Sequence, residues 1–169
     1  YDVDGLERLP LFEEPYIVVA PPMALARPGE NSLAGLAARL PFIRYTRRTQ
    51  MGWAIESQIK RMGAETSGRL EFDSNEDVIA MVAAGEGWAI TVPSHVLHGL
   101  RGTATVDSMP FPGPAFRRSV NLVVRATELG SVPGEVQRLC RDVLATDFAA
   151  GIAAAVPWLG DRFRIAERV

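Results

Sequence analysis

The two histidines of this chain, His95 and His98, stand three residues apart. That spacing puts both rings on one helical face, where a metal needs further ligands. No carboxylate or cysteine lies nearby at ligand spacing, so the pair reads as part of a short solvated helix after Pro93. Ser94 and His95 are adjacent, which does not make a nucleophile–base pair, and there is no Gly-x-Ser-x-Gly elbow. The single cysteine, Cys140, follows Leu139 in a helical pattern and reads as a packed thiol. Gly85 and Gly87 follow a helix and precede a strand, the reverse of the order that a dinucleotide-binding loop needs. Glu13-Glu14 and the group Asp73, Glu76 and Asp77 are carboxylates of the kind used in acid–base work. The first pair reads as exposed loop. The second group lies in the first turn of a helix, where negative charge complements the dipole. The chain thus shows no catalytic set, no metal site and no cofactor loop, and it reads as a protein that is not an enzyme.

The segment Tyr45-Thr46-Arg47-Arg48-Thr49-Gln50 is of a different kind. It joins a short strand to a helix N-terminus, where unpaired backbone N–H groups form an anion site. Hydroxyls, an amide and two guanidiniums cluster there, and arginine forks match carboxylates bidentately. A capped helix with two solvated arginines is the plain alternative. Ser74-Asn75 offers polar groups at a second strand-to-helix junction. In a parallel sheet both junctions lie at the carboxyl edge, where open α/β sheets bind ligands. Trp88, on a neighbouring strand, reads equally as a wall of that site or as a core residue.

Alternating elements must position these corners. Glu7 to Leu11 and Tyr16 to Ala20 read as strands, the second a continuous apolar run of the kind covered on both faces. Ser32 caps a short helix bearing Leu33, Leu36 and Leu40, and Phe42-Ile43 begins the next strand. Thr49 caps a helix to about Met62, with Trp53, Ile55, Ile59 and Met62 as its apolar contacts, and Gly63 ends it. Arg69 to Phe72 is a strand. Ser74 caps a helix whose Val78, Met81 and Val82 share one face. Trp88 to Val92, Thr103 to Val106 and Ser119 to Arg125 are strands. Val132 to about Phe148 is a helix with Val136, Leu139, Val143 and Leu144 inward. The repeated β-α-β order predicts an α/β domain with a largely parallel sheet.

Composition sets outer bounds. The chain has 169 residues, enough for one domain or two small lobes. With 18 Lys and Arg against 20 Asp and Glu, the formal net charge is −2. A surface built for nucleic acid is not expected, since Arg47-Arg48 and Arg117-Arg118 are isolated basic pairs. One cysteine allows no internal disulfide, which fits a reducing compartment. No apolar run approaches a membrane span, no leader is visible, and the expected location is the cytoplasm.

The run from Arg69 to Pro93, Arg-Leu-Glu-Phe-Asp-Ser-Asn-Glu-Asp-Val-Ile-Ala-Met-Val-Ala-Ala-Gly-Glu-Gly-Trp-Ala-Ile-Thr-Val-Pro, carries a family pattern. It resembles the effector-binding (substrate-binding) domain of LysR-type transcriptional regulators. The Asp4-Gly-Leu-Glu-Arg-Leu-Pro-Leu-Phe-Glu-Glu-Pro-Tyr-Ile-Val-Val-Ala-Pro21 stretch and the Ser32–Ala37 and Pro41–Ile43 segments fit the same family in order and spacing. The resemblance runs from about Asp4 to Leu144.

The resemblance implies a two-lobe, type 2 periplasmic-binding-protein-like α/β fold with a central cleft. Residues 22–117 form the second lobe; residues 1–21 and 118–169 form the first, joined by crossing strands near Val19 and near Val120 to Val124. The effector lies between the lobes. Thr46 matches the family's contact hydroxyl, with Tyr45, Arg47, Arg48, Thr49, Gln50, Ser74 and Trp88 as further candidate contacts. The family's winged helix-turn-helix, linker helix and opening first-lobe elements do not match here. The resemblance therefore implies an N-terminally truncated chain with an incomplete first lobe, and DNA contact only through a domain absent from it. The implied partners are a small-molecule effector, a carboxylate among the options, and a second copy in a homo-oligomer, a helix of one lobe against the partner's opposite lobe. A transporter's solute-binding protein with the same architecture is the alternative.

Overall fold

The computed structural model describes residues 5–26, 32–64, 66–68, 70–100, 102–125 and 128–166. In chain order the elements are β1 (Leu6–Pro15), β2 (Ile17–Ala20), α1 (Leu33–Ala37), β3 (Arg44–Tyr45) and α2 (Gln50–Arg61). They continue with β4 (Glu71–Phe72), α3 (Asn75–Ala83), β5 (Ala89–Thr91), α4 (Pro93–Gly99) and β6 (Asp107–Pro110). The last are β7 (Arg117–Arg125), α5 (Val132–Val143), α6 (Ala149–Ala155) and β8 (Arg164–Ile165). A π-helical stretch, Leu144–Phe148, joins α5 to α6. Arg69, the first residue of one expected strand, lies outside the described residues. The chain divides into two compact units, Tyr16–Phe116 and the flanks Tyr1–Pro15 with Arg117–Val169.

In the Tyr16–Phe116 unit, β2 lies between β5 and β6 and is antiparallel to both, with Val18 facing Ile90 and Met109. All four of its residues are buried, as a strand covered on both faces requires. The expected lobe limits put this strand with the flanks; its hydrogen bonds put it at the centre of the other unit. β3 and β4 pair in parallel, Arg44 with Glu71 and Tyr45 with Phe72. A parallel bridge, Phe42 to Trp88, ties β3 to β5, and the Ile43 N–H donates to the Trp88 carbonyl at 2.8 Å. The sheet is therefore mixed, not largely parallel. Helical crossovers set the direction of β3, β4 and β5, but β2 and β6 are not joined to their neighbours that way. The strand expected at Thr103 to Val106 forms instead at β6, where β2 supplies its ladder.

The helices start and stop on local signals. Thr49 Oγ1 accepts from the Gly52 N–H at 3.0 Å and Ser74 Oγ from the Asp77 N–H at 3.2 Å, each satisfying one orphan donor of a first turn. Lys60 and Arg61 complement the dipole at the end of α2, and Gly63 leaves it at φ +63. The inner face of α2 is Met51, Gly52, Ile55, Gln58 and Ile59. Trp53, expected inside, is 65% exposed. At about 100° per residue it falls on the side opposite Ile55. α4 is not a solvated helix either: Pro93, Ser94, Val96 and Gly99 are buried. Gly99 sits so close to α3 that a Cβ there would lie 2.6 Å from the Ile79 Cβ.

In the flanking unit, β1 pairs antiparallel with β7 from Leu6–Arg125 to Pro15–Arg117, with a register shift between Pro10 and Phe12. Phe12, Ile152, Val156 and Leu159 are buried here, and Phe12 packs against the rings of Phe148 and Phe163. Glu13 and Glu14, expected in a loop, lie in β1. Glu14 is fully buried and held by Arg118, with both guanidinium contacts at 2.8 Å. α5 reverses its expected orientation. Val136, Leu139 and Val143 are exposed, while Gln137 and Arg141 donate to the Pro10 carbonyl. Cys140 is half-buried and forms no disulfide.

Candidate functional site

Three strand-to-helix corners of the Tyr16–Phe116 unit stand side by side. The parallel register Tyr45–Phe72 brings the end of β3 next to the end of β4, and the Thr46 N–H donates to the Phe72 carbonyl at 3.0 Å. The Phe42–Trp88 bridge extends that register to β5, placing Thr91 level with Tyr45. The Tyr45 hydroxyl agrees with this match, lying 2.8 Å from Thr91 Oγ1 and 3.3 Å from His95 Nδ1. β3 leads into α2, β4 into α3 and β5 into α4, so three helices begin at one carboxyl edge.

The first corner is tightly built. Thr46 is buried, and its carbonyl accepts from the Thr49 N–H at 3.0 Å and the Thr49 hydroxyl at 2.9 Å. A Cβ on Gly52 would lie 2.1 Å from that same carbonyl oxygen. Only glycine lets the first turn of α2 approach so closely. The N–H groups of Gln50 and Met51 begin the helix, ahead of any i−4 carbonyl of its own. Gln50 is exposed, and Ser74 caps α3 while donating to Glu76 Oε2 at 3.0 Å.

The candidate residues do not all share this edge. Tyr45, Thr46, Thr49, Gln50 and Ser74 sit at its corners. Arg47 is exposed and turns to Glu56, at 3.0 Å, a carboxylate that also holds Arg44. Arg48 is exposed and makes no ion pair among the described residues. Trp88 lies three residues before Thr91, roughly 10 Å back along the strand. It is fully buried, 4.6 Å from the Phe42 ring, and its indole N–H has no acceptor among the described residues. Trp88 is a core residue, not a wall of the edge.

Sequence reasoning passes over Thr91 and weighs Ser94 and His95 only as metal or nucleophile candidates. Thr91 and Ser94 are buried polar residues at the third corner, and His95 is half-buried beside them. The available signal is a hydroxyl at a strand end, with a histidine one helical turn beyond it. A hollow of 810 Å³ lies elsewhere, lined by Arg44, Arg47, Trp53, Glu56 and Lys60 among others. It opens on the flank of α2 and not at the carboxyl edge, where the buried polar groups converge. The described residues hold no group of three metal-ligating side chains, and none of their helices is long and apolar enough to cross a membrane.

The model of the LysR substrate binding domain matches residues 2–145, and the chain belongs to that family. Its fold is the family's type 2 periplasmic-binding-protein-like α/β fold. An OxyR mutant from Corynebacterium glutamicum superposes with a TM-score of 0.65 at 19% identity, covering 92% of this chain and 48% of that one. The CcmR regulatory domain from Synechocystis, in complex with 2-PG, gives 0.67 at 18% identity over 87% of this chain and 71% of that one. The effector-binding domain of QuiR, in complex with shikimate, gives 0.60 at 14% identity over 83% and 65%. The chain thus spans about half the length of the OxyR chain. No curated protein matches it by sequence.

Proposed function

We propose that this chain is the small-molecule sensing part of a bacterial LysR-type transcription regulator, and that it senses without catalysis. The carrying observation is the convergence of three corners at one carboxyl edge, fixed by the parallel pairing of β3 with β4 and the Tyr45–Thr91 contact. In this reading Thr46, Thr49, Gln50 and Ser74 meet the effector, together with Ser94 and His95, while Tyr45 and Thr91 hold His95 in place. Arg48 is the cation left at the rim, since Arg47 is taken by Glu56. Relatives solved with shikimate and with 2-PG support a small organic acid as the effector class. The net charge of −2 supports DNA contact by a part of the regulator outside these residues. The regulator works in the cytoplasm as a homo-oligomer. Family membership favours this over a transporter's solute-binding protein.

A thermal-shift screen of small organic acids on the full-length regulator tests the reading. A ligand at a hundredfold excess over its Kd stabilises by about 2.7 kcal/mol. Thr46→Val and Ser94→Ala should each weaken the active compound by up to about tenfold, the loss of one hydrogen bond. A compound whose binding ignores Thr46→Val, Ser94→Ala and His95→Gln alike places the site elsewhere.

A further inference from the structure

The trio of Tyr45, Thr91 and His95 fixes more than the place of a ring. Thr91 Oγ1 lies 2.8 Å from the Tyr45 hydroxyl and 3.5 Å from His95 Nδ1, and the Tyr45 hydroxyl lies 3.3 Å from the same nitrogen. Thr91 is fully buried and Tyr45 is 4% exposed, so bulk water does not serve either hydroxyl. Buried donors are paired, and each hydroxyl brings one proton. With Nδ1 as an acceptor, the trio places both protons in either of two ways. Thr91 donates to Tyr45 and Tyr45 to Nδ1, or Tyr45 donates to Thr91 and Thr91 to Nδ1. With a proton on Nδ1 there are three protons and no ring lone pair facing them, and one hydroxyl proton finds no acceptor within the trio. The neutral ring therefore carries its proton on Nε2, on the side turned away from the two hydroxyls. His95 is half-buried in the first turn of α4, at the third corner of the carboxyl edge.

We infer that Tyr45 and Thr91 lock His95 as its Nε2–H tautomer, so that the ring meets the effector as a donor and selects an oxygen atom over an ammonium group. This rests on the reading of the carboxyl edge as the effector site and names the ligand atom taken there. Tyr45 and Thr91 are positioning residues, acting on the ligand through the ring. An imidazole free to change tautomer accepts from an ammonium group as readily as it donates to an oxygen. A locked N–H does only the second. The Gln50 and Met51 amides that open α2 are likewise donors and never acceptors. A carboxylate or hydroxyl oxygen satisfies such groups. An ammonium group sets donor against donor, and a site built to hydrogen-bond one partner rejects an analogue that leaves its groups unpaired. Phenylalanine at 45 and valine at 91 would keep the shape of the trio and remove its protons, which separates the lock from the packing.

Nitrogen-15 NMR of the histidine-labelled, 169-residue chain reads the tautomer directly, above the ordinary histidine titration range so that the ring is neutral. There are two histidines, and His98→Gln, at an exposed position, assigns the signals. His95 should be wholly Nε2–H, against the tautomer mixture of free histidine. Tyr45→Phe and Thr91→Val should each weaken that preference, and the double variant should return the ring to the mixture. Circular dichroism checks folding, and the single variants carry the test if the double variant does not fold. A proton on Nδ1 in the parent, the mixture of free histidine there, or a preference unchanged in both folded single variants overturns the inference and leaves the edge site standing. Glycerate with serine, lactate with alanine and malate with aspartate each set a hydroxyl against an ammonium group on one carbon skeleton. In any pair that moves the His95 Nε2 signal, the hydroxy acid should bind roughly tenfold tighter or more. An amino acid binding as tightly as its partner overturns the selectivity. An Nε2–H ring whose signal is moved by none of the acids that stabilise the protein overturns the edge reading, and with it the effector contact, while the lock itself stands.

Discussion

Replacing Gly52 by alanine tests the architecture of the candidate site, because two effects of opposite sign act at that position. In an open helix, Gly→Ala stabilises by up to about 1 kcal/mol through backbone entropy. At Gly52 the new Cβ would stand 2.1 Å from the Thr46 carbonyl oxygen and 2.7 Å from both the Thr46 carbonyl carbon and the Tyr45 carbonyl oxygen. All three are backbone atoms, so no side-chain rotation relieves the clash. Either α2 or the Thr46 turn must move, and overpacking of this kind costs about 1–3 kcal/mol. Steric cost therefore exceeds the propensity gain, and Gly52→Ala destabilises. Gly134, near the start of α5, is the internal control: a Cβ there meets nothing within 4 Å. Gly134→Ala should stabilise by about 0.5–1 kcal/mol. Urea denaturation of both variants, with fluorescence and circular dichroism as probes, gives the two signs. If Gly52→Ala stabilises as Gly134→Ala does, α2 does not approach Thr46 in solution, and the geometry of that corner is wrong.

Buried polar groups give further expected outcomes. Arg118→Met leaves the carboxylate of Glu14 buried without its guanidinium, and should cost about 3–5 kcal/mol. Glu14→Leu with Arg118→Met should recover most of that loss, and a single substitution costing under about 1 kcal/mol in denaturant titration refutes the pair's role. Tyr45→Phe removes the hydroxyl shared by Thr91 and His95 and should cost about 1 kcal/mol. The same variant should also change effector affinity; unaltered isothermal titration would remove His95 from the site.

What is legible in the sequence is what neighbours along the chain decide. Ser32, Thr49 and Ser74 read as caps, and each accepts from an N–H three residues on. The β2 run announces burial on both faces because four apolar residues in a row leave no polar face. What fails depends on partners far away in sequence. Trp53 reads as internal because large apolar residues usually are, yet its angular position on α2 puts it opposite Ile55. Glu14 reads as loop, since nothing local announces that β7 brings Arg118, 104 residues on, to its side. On α5, Val136, Leu139 and Val143 share a side as their spacing says, but that side is not the inward one: the helix turns Gln137 and Arg141 to Pro10. Periodicity identifies which residues share a face; it does not say what the face meets. The site is half legible for the same reason. Helix-start chemistry locates Thr46 and Ser74, whereas Thr91 and His95 join them only through sheet register.

The fate of Arg47 narrows what the proposed site is able to select. Two guanidiniums beside a helix N-terminus suggest recognition by charge, but Glu56 on the next turn holds Arg47 and Arg44 together. Glu56, on α2, competes with a ligand for the exposed Arg47, so Arg47 offers less than an unpaired guanidinium would. What remains at the edge, besides Arg48 at the rim, is a set of hydrogen-bonding groups: the Thr46, Thr49, Ser74 and Ser94 hydroxyls, the first amides of α2 and the His95 ring. Long-range attraction between exposed charges fades with salt, whereas hydrogen bonds to buried neutral donors do not. Such a site discriminates by leaving its own donors unsatisfied when a ligand lacks the matching oxygen, at about 1–3 kcal/mol per orphaned group. Its selectivity therefore follows the number and placement of ligand oxygens more than net charge. A carboxylate bearing hydroxyls should outbind a bare carboxylate of equal charge, and that ranking should survive added salt.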